Sequence, residues 1–171
     1  MKVSILLSSL LLLVGCTSVP RGITPVKNFD IERYLGTWYE IARLDHRFER
    51  GLNQVSTQYG MRRDGGVDVI NRGYDNATGE WKEATGRAYS LGSPQQGSLK
   101  VSFFWPFYAG YHVFELDQQN YSYALVSGPD RDYLWILSRT RTLDTATTRR
   151  LVEMAKGLGF ATDRLIFVAQ Q

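Results

Sequence analysis

Few side chains in this sequence are able to do covalent or metal chemistry. His46 and His112 are the only histidines, and Cys16 is the only cysteine. Neither histidine stands in the spacing of a metal site, and no serine lies in a nucleophile-elbow context. Beyond residue 16 there is no thiol nucleophile either. We therefore predict no enzyme, no metal site and no cofactor.

Cys16 has a different chemistry available. It follows Leu13-Val14-Gly15, and these four residues resemble the bacterial lipobox, whose cysteine sulfur receives a diacylglyceryl group. Upstream, Lys2 and an apolar run over 3–14 have the form of a signal peptide that is short for a bilayer span. We predict a signal peptide over 1–15 and acyl chains, palmitate among them, on Cys16 as the new N-terminus.

The residues after Cys16 predict a lipid-anchored, flexible tether over 16–27. Pro20, Gly22 and Pro25 interrupt any apolar period there. Thr17 stands where lipoproteins retained in the inner membrane carry an aspartate. The predicted location is the outer membrane, with the folded domain over 28–171 facing the periplasm.

Composition limits the rest of the interpretation. The 171 residues, 43% of them hydrophobic and 22% charged, fit one domain with a sizeable core. The formal charge is +3, and removing Lys2 with the signal peptide lowers it by one. No nucleic-acid partner is expected from so small a charge. A lone cysteine also leaves the domain without an internal disulfide.

Short runs of β-branched and aromatic residues alternate with turn sequences along most of the chain. This spacing is typical of an antiparallel up-and-down sheet, and eight strands are the number that closes into a small barrel. The predicted strands span 36–44, 53–61, 66–74, 81–90, 97–104, 110–116, 121–127 and 132–139.

After the strands, the period changes over 142–158. Leu151, Met154, Ala155 and Leu158 recur at helical spacing, with Asp144 or Thr142 available as the N-cap and Gly159 at the end. We predict one amphipathic helix packed outside the barrel, followed by a short strand over 165–168.

Two motifs carry a resemblance to a known family. The run 28–42, with Gly36 and Trp38 entering the first strand, resembles the first lipocalin signature, and 133–139, ending in Arg139, resembles the last. The run 103–111 is similar to the bacterial lipocalins. Asp117 and Tyr121 match the second signature only partly. The resemblance covers about 28–169 and implies an all-β, eight-stranded lipocalin barrel with a short N-terminal helix and one C-terminal helix outside.

The resemblance also implies that Gly36, Trp38 and Arg139 form a structural plug at one end of the barrel. A guanidinium stacked on an indole closes that end, and its spare N–H groups cap nearby carbonyls. Alternation along the first strand predicts that Glu40 and Ala42 share the face of Trp38.

If Arg139 faces the barrel interior, the alternation of side chains along each strand also predicts which residues line a cavity. On the sixth strand, Tyr111, Val113 and Glu115 are expected to share the inner face, so that one carboxyl enters the cavity. The candidate ligand-binding residues are Val69, Ala88, Val101, Phe103, Tyr111, Val113, Val126, Tyr133 and Trp135. A filled barrel, in which these side chains are only core, stays open as an alternative.

Together these features predict a membrane-anchored protein that stores or transports a fatty acid or lysophospholipid in the cell envelope. The alternatives are a cavity enzyme acting on lipids and an interaction module with a filled barrel. A haem-binding barrel would need an inward histidine, whereas His112 is predicted to face away from Tyr111.

Two further groups of residues have open roles. The basic side chains of Arg43, His46, Arg47 and Arg50 fall in the first long loop, where they either attract an anionic head group or form a solvated surface. The aromatic hairpin over 104–108 is too apolar for water. It is predicted to line the mouth, touch lipid or form a homodimer interface.

Overall fold

Nine strands form the framework of residues 17–171, the part of the chain that a computed structural model describes. The strands are β1 (Gly36–Leu44), β2 (Leu52–Met61), β3 (Val67–Asp75), β4 (Glu80–Ser90), β5 (Ser98–Phe104), β6 (Phe107–Leu116), β7 (Tyr123–Ser127), β8 (Leu134–Ser138) and β9 (Leu165–Phe167).

Each of the first eight strands pairs antiparallel with its neighbours in sequence, and β8 returns to pair with β1. Because β1 also pairs with β2, the sheet closes into a barrel. The predicted eight-stranded up-and-down barrel is confirmed. β6 begins at Phe107, three residues before its predicted start, because Phe104 and Phe107 pair across the β5–β6 hairpin.

The two ends of the barrel differ. At the end where β1 starts lies the short helix α1 (Ile31–Tyr34), whose N-cap Asp30 accepts hydrogen bonds from the amides of Glu32 and Arg33. We call this the closed end. At the opposite, open end, β1 leads into the loop 45–51.

Outside the barrel lies the predicted helix, α2 (Thr145–Gly157), with Asp144 as its N-cap. Leu151 and Ala155 are fully buried and pack with Leu134 and Ile136 from the outer face of β8. The apolar period therefore identified the helix and its buried face. β9 follows and pairs with the second half of β1.

The predicted flexible tether is corrected by the structure. Residues 17–27 pack along the barrel instead of standing free of it. Val26 donates to the Val113 carbonyl at 2.8 Å and accepts from the Gly97 amide at 2.9 Å. Ile23 is buried in the outer core. Burial of single apolar residues and backbone pairing hold a segment in which the sequence shows no regular period. Among residues 17–171, no helix has the length and apolar character required to cross a bilayer.

Candidate functional site

The structure places the nine candidate ligand-binding residues on or next to the inner wall. Ala88 pairs with Val101, and Val113 pairs with Val126, so each pair projects to the same side of the sheet. Eight of the nine belong to one apolar cluster inside the barrel. The ninth, Tyr133, lies just before β8 and stacks on Trp135 with ring centroids 6.1 Å apart.

Two β-bulges change the faces that simple alternation predicts. In β1, Glu40 pairs with Leu137, but the next registered pair is Ala42 with Ile136. The extra residue turns Ala42 outward, where it belongs to the outer core under α2. The prediction that Ala42 shares the face of Trp38 was therefore wrong, and Arg43 points inward in its place.

The second bulge lies in β6, between Val113 and Glu115. It turns Glu115 outward, where its carboxylate pairs with Arg150 of α2 at 2.9 Å. Leu116 takes the inner position and joins the inner cluster. The predicted cavity carboxyl at residue 115 was therefore wrong.

Gly36, Trp38 and Arg139 come together at the closed end. The Arg139 guanidinium lies 4.1 Å from the centre of the Trp38 ring, and the indole is fully buried. Gly36 has a φ of 93°, and a Cβ there would lie 3.2 Å from Arg139 Nη1. Only glycine fits this conformation without strain.

Arg139 also donates hydrogen bonds to the backbone carbonyls around the plug. Its guanidinium donates to the carbonyls of Arg33, Thr37 and Tyr121 at 2.7, 3.1 and 3.2 Å. The Trp38 indole N–H donates to the Tyr34 carbonyl at 2.8 Å. These donors of the plug are thus engaged by backbone carbonyls of the protein itself.

Three tyrosine hydroxyls meet inside the barrel above the plug. The Tyr111 hydroxyl lies 2.8 Å from that of Tyr34 and 2.9 Å from that of Tyr59. Burial raises the pKa of all three phenols above their ordinary value, so they stay protonated. The three hydroxyls form a small polar group within the apolar cluster of the barrel interior.

A charged network occupies the wall nearer the open end, and the sequence did not predict it. Arg43 lies in β1 and not in the loop, and it is 1% exposed. Its Nη1 donates to Glu40 Oε1 at 2.6 Å, and its Nη2 donates to the carbonyls of Glu49 and Leu52 at 2.9 and 3.0 Å. Arg43 therefore fastens the loop 45–51 to the barrel wall.

Glu49 extends this network across the mouth. Its Oε2 lies 2.9 Å from His46 Nε2 and accepts from the Trp135 indole N–H at 3.1 Å. Burial and the neighbouring Glu49 raise the pKa of Glu40 well above its usual range, against the opposing effect of Arg43. Burial alone would raise the pKa of Glu49 too, but His46, Trp135 and Arg43 lower it overall. The two carboxyls of the network therefore differ, with the pKa of Glu40 raised and that of Glu49 lowered.

The four basic loop residues of the sequence analysis thus divide into two kinds. Arg43 and His46 are buried in this network, whereas the Arg50 side chain is exposed and pairs with Asp45 at 2.9 Å. Arg47 is also exposed and lies over the Phe48 ring. The glutamates at 40 and 49, spaced around Arg43, were a sequence signal for the network, but only the bulge turns Arg43 inward.

Solvent reaches part of the inner wall. Val101, Phe103, Tyr111 and Trp135 point into the barrel but are only partly buried, whereas Trp38 and Tyr34 below them are fully buried. Ala84, which pairs with the inward Asn71, is exposed. Two surface clefts lie elsewhere, one around Met61 and Asp68 and one beside α1, and their linings include none of the nine candidates.

His112 faces the outside of the barrel, as predicted. Its Nε2 donates to the Ser18 carbonyl at 3.0 Å, and its Nδ1 lies 2.7 Å from the Ser98 hydroxyl. Burial lowers its pKa. Residues 17–171 contain no group of three His, Cys, Asp or Glu side chains placed to hold a metal ion. Cys16 and the signal peptide over 1–15 lie outside the described residues and stay predictions.

Comparisons with known proteins agree with this geometry. The family model of the lipocalin-like domain matches residues 29–170. The outer membrane lipoprotein Blc of Vibrio cholerae serotype O1 is 54% identical over 171 residues, which cover all of both chains. Blc of Escherichia coli K12 is 54% identical over 161 residues, 93% of this chain and 90% of that protein. Temperature-induced lipocalin-1 of Arabidopsis thaliana is 35% identical over 82% of this chain and 78% of its own length.

Solved structures share the fold at low sequence identity. The cockroach allergen Per a 4 superposes with a TM-score of 0.70 at 21% identity, covering 92% of this chain and 96% of that chain. Insecticyanin from the tobacco hornworm Manduca sexta gives a TM-score of 0.70 at 19% identity, covering 89% and 86%.

Proposed function

The chain belongs to the lipocalin-like family, and on that premise we propose that it is an outer-membrane lipoprotein that binds one lipid inside its barrel. The guest is a fatty acid or a lysophospholipid, which the protein stores or carries within the cell envelope. The relatives named outer membrane lipoprotein support the location, since they match over 90% or more of both chains.

The observation that carries the proposal is that the inner wall of the barrel is apolar in its middle and polar near the open end. Val101, Phe103 and Trp135 present partly accessible apolar surface to the interior. Near the open end, Arg43 is held with Glu40 and Glu49. An apolar site with a few placed polar groups suits an acyl chain with a polar head.

Arg43 also leaves one donor for a guest. Its Nε is buried and has no hydrogen-bond partner among residues 17–171. A carboxylate or phosphodiester oxygen is the acceptor that a guanidinium N–H prefers. The head group would therefore lie beside Arg43, while Arg47 and Arg50 on the exposed loop surface stay outside the site.

The proposed role is binding without catalysis. Within the network, Arg43 is engaged with Glu40 and with loop carbonyls, and Glu49 is engaged with His46 and Trp135. These groups hold the loop and one another. No cofactor or nucleic acid enters the proposal, and the homodimer stays a prediction that is tested with the surface described below.

Binding is tested with the mature protein and one added lipid, palmitate or lysophosphatidylethanolamine, by native mass spectrometry and by displacement of a fluorescent fatty acid. We expect a one-to-one complex with a dissociation constant below about 100 µM, roughly −5.5 kcal/mol. No binding of either lipid below that concentration would overturn the proposal.

A pair of neighbouring substitutions shows where the lipid lies. Ala84 faces the interior because it pairs with Asn71, and the next residue, Thr85, faces outward and is also exposed. Ala84→Trp should fill the interior and weaken binding, whereas Thr85→Trp should leave the affinity unchanged. Equal affinities for the two variants would place the lipid outside the barrel.

The anchor is tested separately at Cys16. Wild-type protein from membranes should carry the mass of the acyl chains, and Cys16→Ser should carry none and leave the membrane fraction. A Cys16→Ser variant that still sediments with outer membranes would contradict the lipobox interpretation.

A further inference from the structure

Large aromatic side chains are exposed at the open end of the barrel. Phe48 lies in the β1–β2 loop, Trp81 at the start of β4, and Phe104, Trp105 and Phe107 at the β5–β6 hairpin. All five are between 57% and 74% exposed. Because β1 ends at the open end and neighbouring strands are antiparallel, these three connections lie at that same end. We call these five residues the aromatic rim.

The closed end has no such surface. Among residues 17–171, Met61 is the one large hydrophobic side chain exposed where strands turn at that end. Its aromatic side chains, Trp38 and Tyr34, are fully buried. Exposed apolar surface concentrated at one end of a barrel marks an interaction site.

The path of residues 17–27 along the barrel indicates what the aromatic rim contacts. The carbonyl of Ser18 accepts from His112 on the outer face of β6. A Cβ added at Gly110 would lie 3.2 Å from the Thr17 carbonyl. Gly110 is three residues from Phe107 along β6, which is about 10 Å of strand.

Cys16 is covalently joined to Thr17, with about 3.8 Å between their Cα atoms. Thr17, the residue that follows the proposed attachment point, therefore lies beside the strand that leads directly to the aromatic rim. Hydrogen bonds and buried apolar side chains hold residues 17–27 against the barrel.

We propose that the aromatic rim inserts into the surface of the same membrane that holds the Cys16 lipid, so that the open end of the barrel faces the bilayer. This inference rests on the proposed lipid anchor. Indole rings prefer the interface between head groups and acyl chains, which is the depth that a rim of Phe and Trp would reach. A lipid would then pass between bilayer and barrel without crossing bulk water.

The charges near the rim indicate that this contact is apolar and not electrostatic. Arg50 pairs with Asp45 and Lys82 pairs with Asp75, whereas Arg47, over the Phe48 ring, is exposed and forms no ion pair within residues 17–171. A single unpaired arginine gives only a weak attraction for anionic lipids. Rim insertion should therefore survive high salt, unlike binding by a basic patch.

The test uses the full acylated protein in vesicles of phosphatidylethanolamine and phosphatidylglycerol, with and without bromine on the acyl chains. Bromine quenches only tryptophan that it contacts. Of the four tryptophans, Trp38 is fully buried and Trp135 lies inside the barrel, so Trp81 and Trp105 report on the rim. We expect quenching in low and high salt, and its loss in the Trp81→Phe, Trp105→Phe double variant.

A matched pair of substitutions separates the rim from exposed aromatics in general. Phe107→Asp should abolish most of the quenching of Trp105. Phe167→Asp changes an aromatic of similar exposure on β9, which pairs with β1 across the barrel from β5 and β6, and should leave the quenching unchanged.

Each contrary result has a distinct meaning. Acylated protein whose tryptophans are not quenched by brominated lipid would overturn the rim insertion alone. An intact mass without acyl chains would overturn the anchor of the proposed function. A dimer that becomes monomeric with Phe107→Asp, without any quenching in the wild type, would assign the rim to a second copy of the chain and overturn the inference.

Discussion

The closed and open ends of this barrel use similar side chains for different purposes. At the closed end, Trp38 and Tyr34 are fully buried, and Arg139 fills the remaining space with its donors on three carbonyls. At the open end, aromatic rings are exposed, and the polar groups of the wall are buried beneath them. The aromatic side chains of the closed end are therefore packed within the protein, whereas those of the open end leave apolar surface exposed.

The two inner arginines show the difference most clearly. Arg139 stacks on an indole and donates to backbone carbonyls, which are the contacts expected of a structural plug. Arg43 is more deeply buried, holds the loop 45–51 and shares the interior with two carboxyls. Arg43 is paired with Glu40, but its buried Nε has no hydrogen-bond partner among residues 17–171, and this spare donor near the mouth is consistent with a binding role in addition to holding the loop.

The largest effect should come from removing the indole at the closed end. Trp38→Ala should lower the free energy of unfolding by about 3–5 kcal/mol, because it leaves a cavity in a fully buried cluster. The measurement is urea denaturation. Trp135→Ala is the matched control at the open end, where the indole is only partly buried, and it should cost clearly less. Equal losses would contradict the division between the two ends.

Arg139 should have the next largest effect. Arg139→Ala removes three charged hydrogen bonds and the cation that covers Trp38, and we expect a loss of about 1.5–3 kcal/mol in the free energy of unfolding. Arg139→Lys keeps the charge but not the planar fork, so it should recover little of that loss. Full recovery by lysine would show that charge alone closes this end.

Glu40 allows a pH test of the open-end network. Its pKa is raised in the folded protein, so the folded state holds this proton to a higher pH than the unfolded chain does. The stability that Glu40 contributes is fully present below its ordinary pKa of about 4.5 and is lost as pH rises through the folded-state value.

Glu40→Gln keeps an acceptor for Arg43 but cannot ionise. We therefore expect the variant to gain stability relative to the wild type as pH increases, by less than either closed-end substitution costs. Denaturation curves across the pH range measure this difference. A difference that does not change with pH would show that folding does not raise the pKa of Glu40.

The smallest effect on stability should come from the aromatic rim. Phe107→Ser replaces a ring that is mostly exposed, so the free energy of unfolding should change by no more than about 0.5 kcal/mol. The same substitution should reduce quenching by brominated lipid. A large loss of stability would mean that the ring packs in the fold and is not a free contact surface.

Much of this architecture follows from local sequence. Turn residues between alternating runs predicted eight strands, and the spacing of Leu151 and Ala155 identified the buried face of the outer helix. Gly36, Trp38 and Arg139 were found from the family motifs, and the structure brings them together. Alternation also placed most of the inner wall correctly, since a strand without a bulge keeps a period of two.

Only the tertiary structure decided the chemistry near the mouth. One inserted residue in β1 turns Ala42 outward and Arg43 inward, and one in β6 removes Glu115 from the interior. A bulge depends on how neighbouring strands pair, and the alternation of side chains within one strand does not reveal that pairing. The packing of residues 17–27 has the same origin, because Ile23 and Val26 find their partners on a barrel wall that exists only once the sheet has closed.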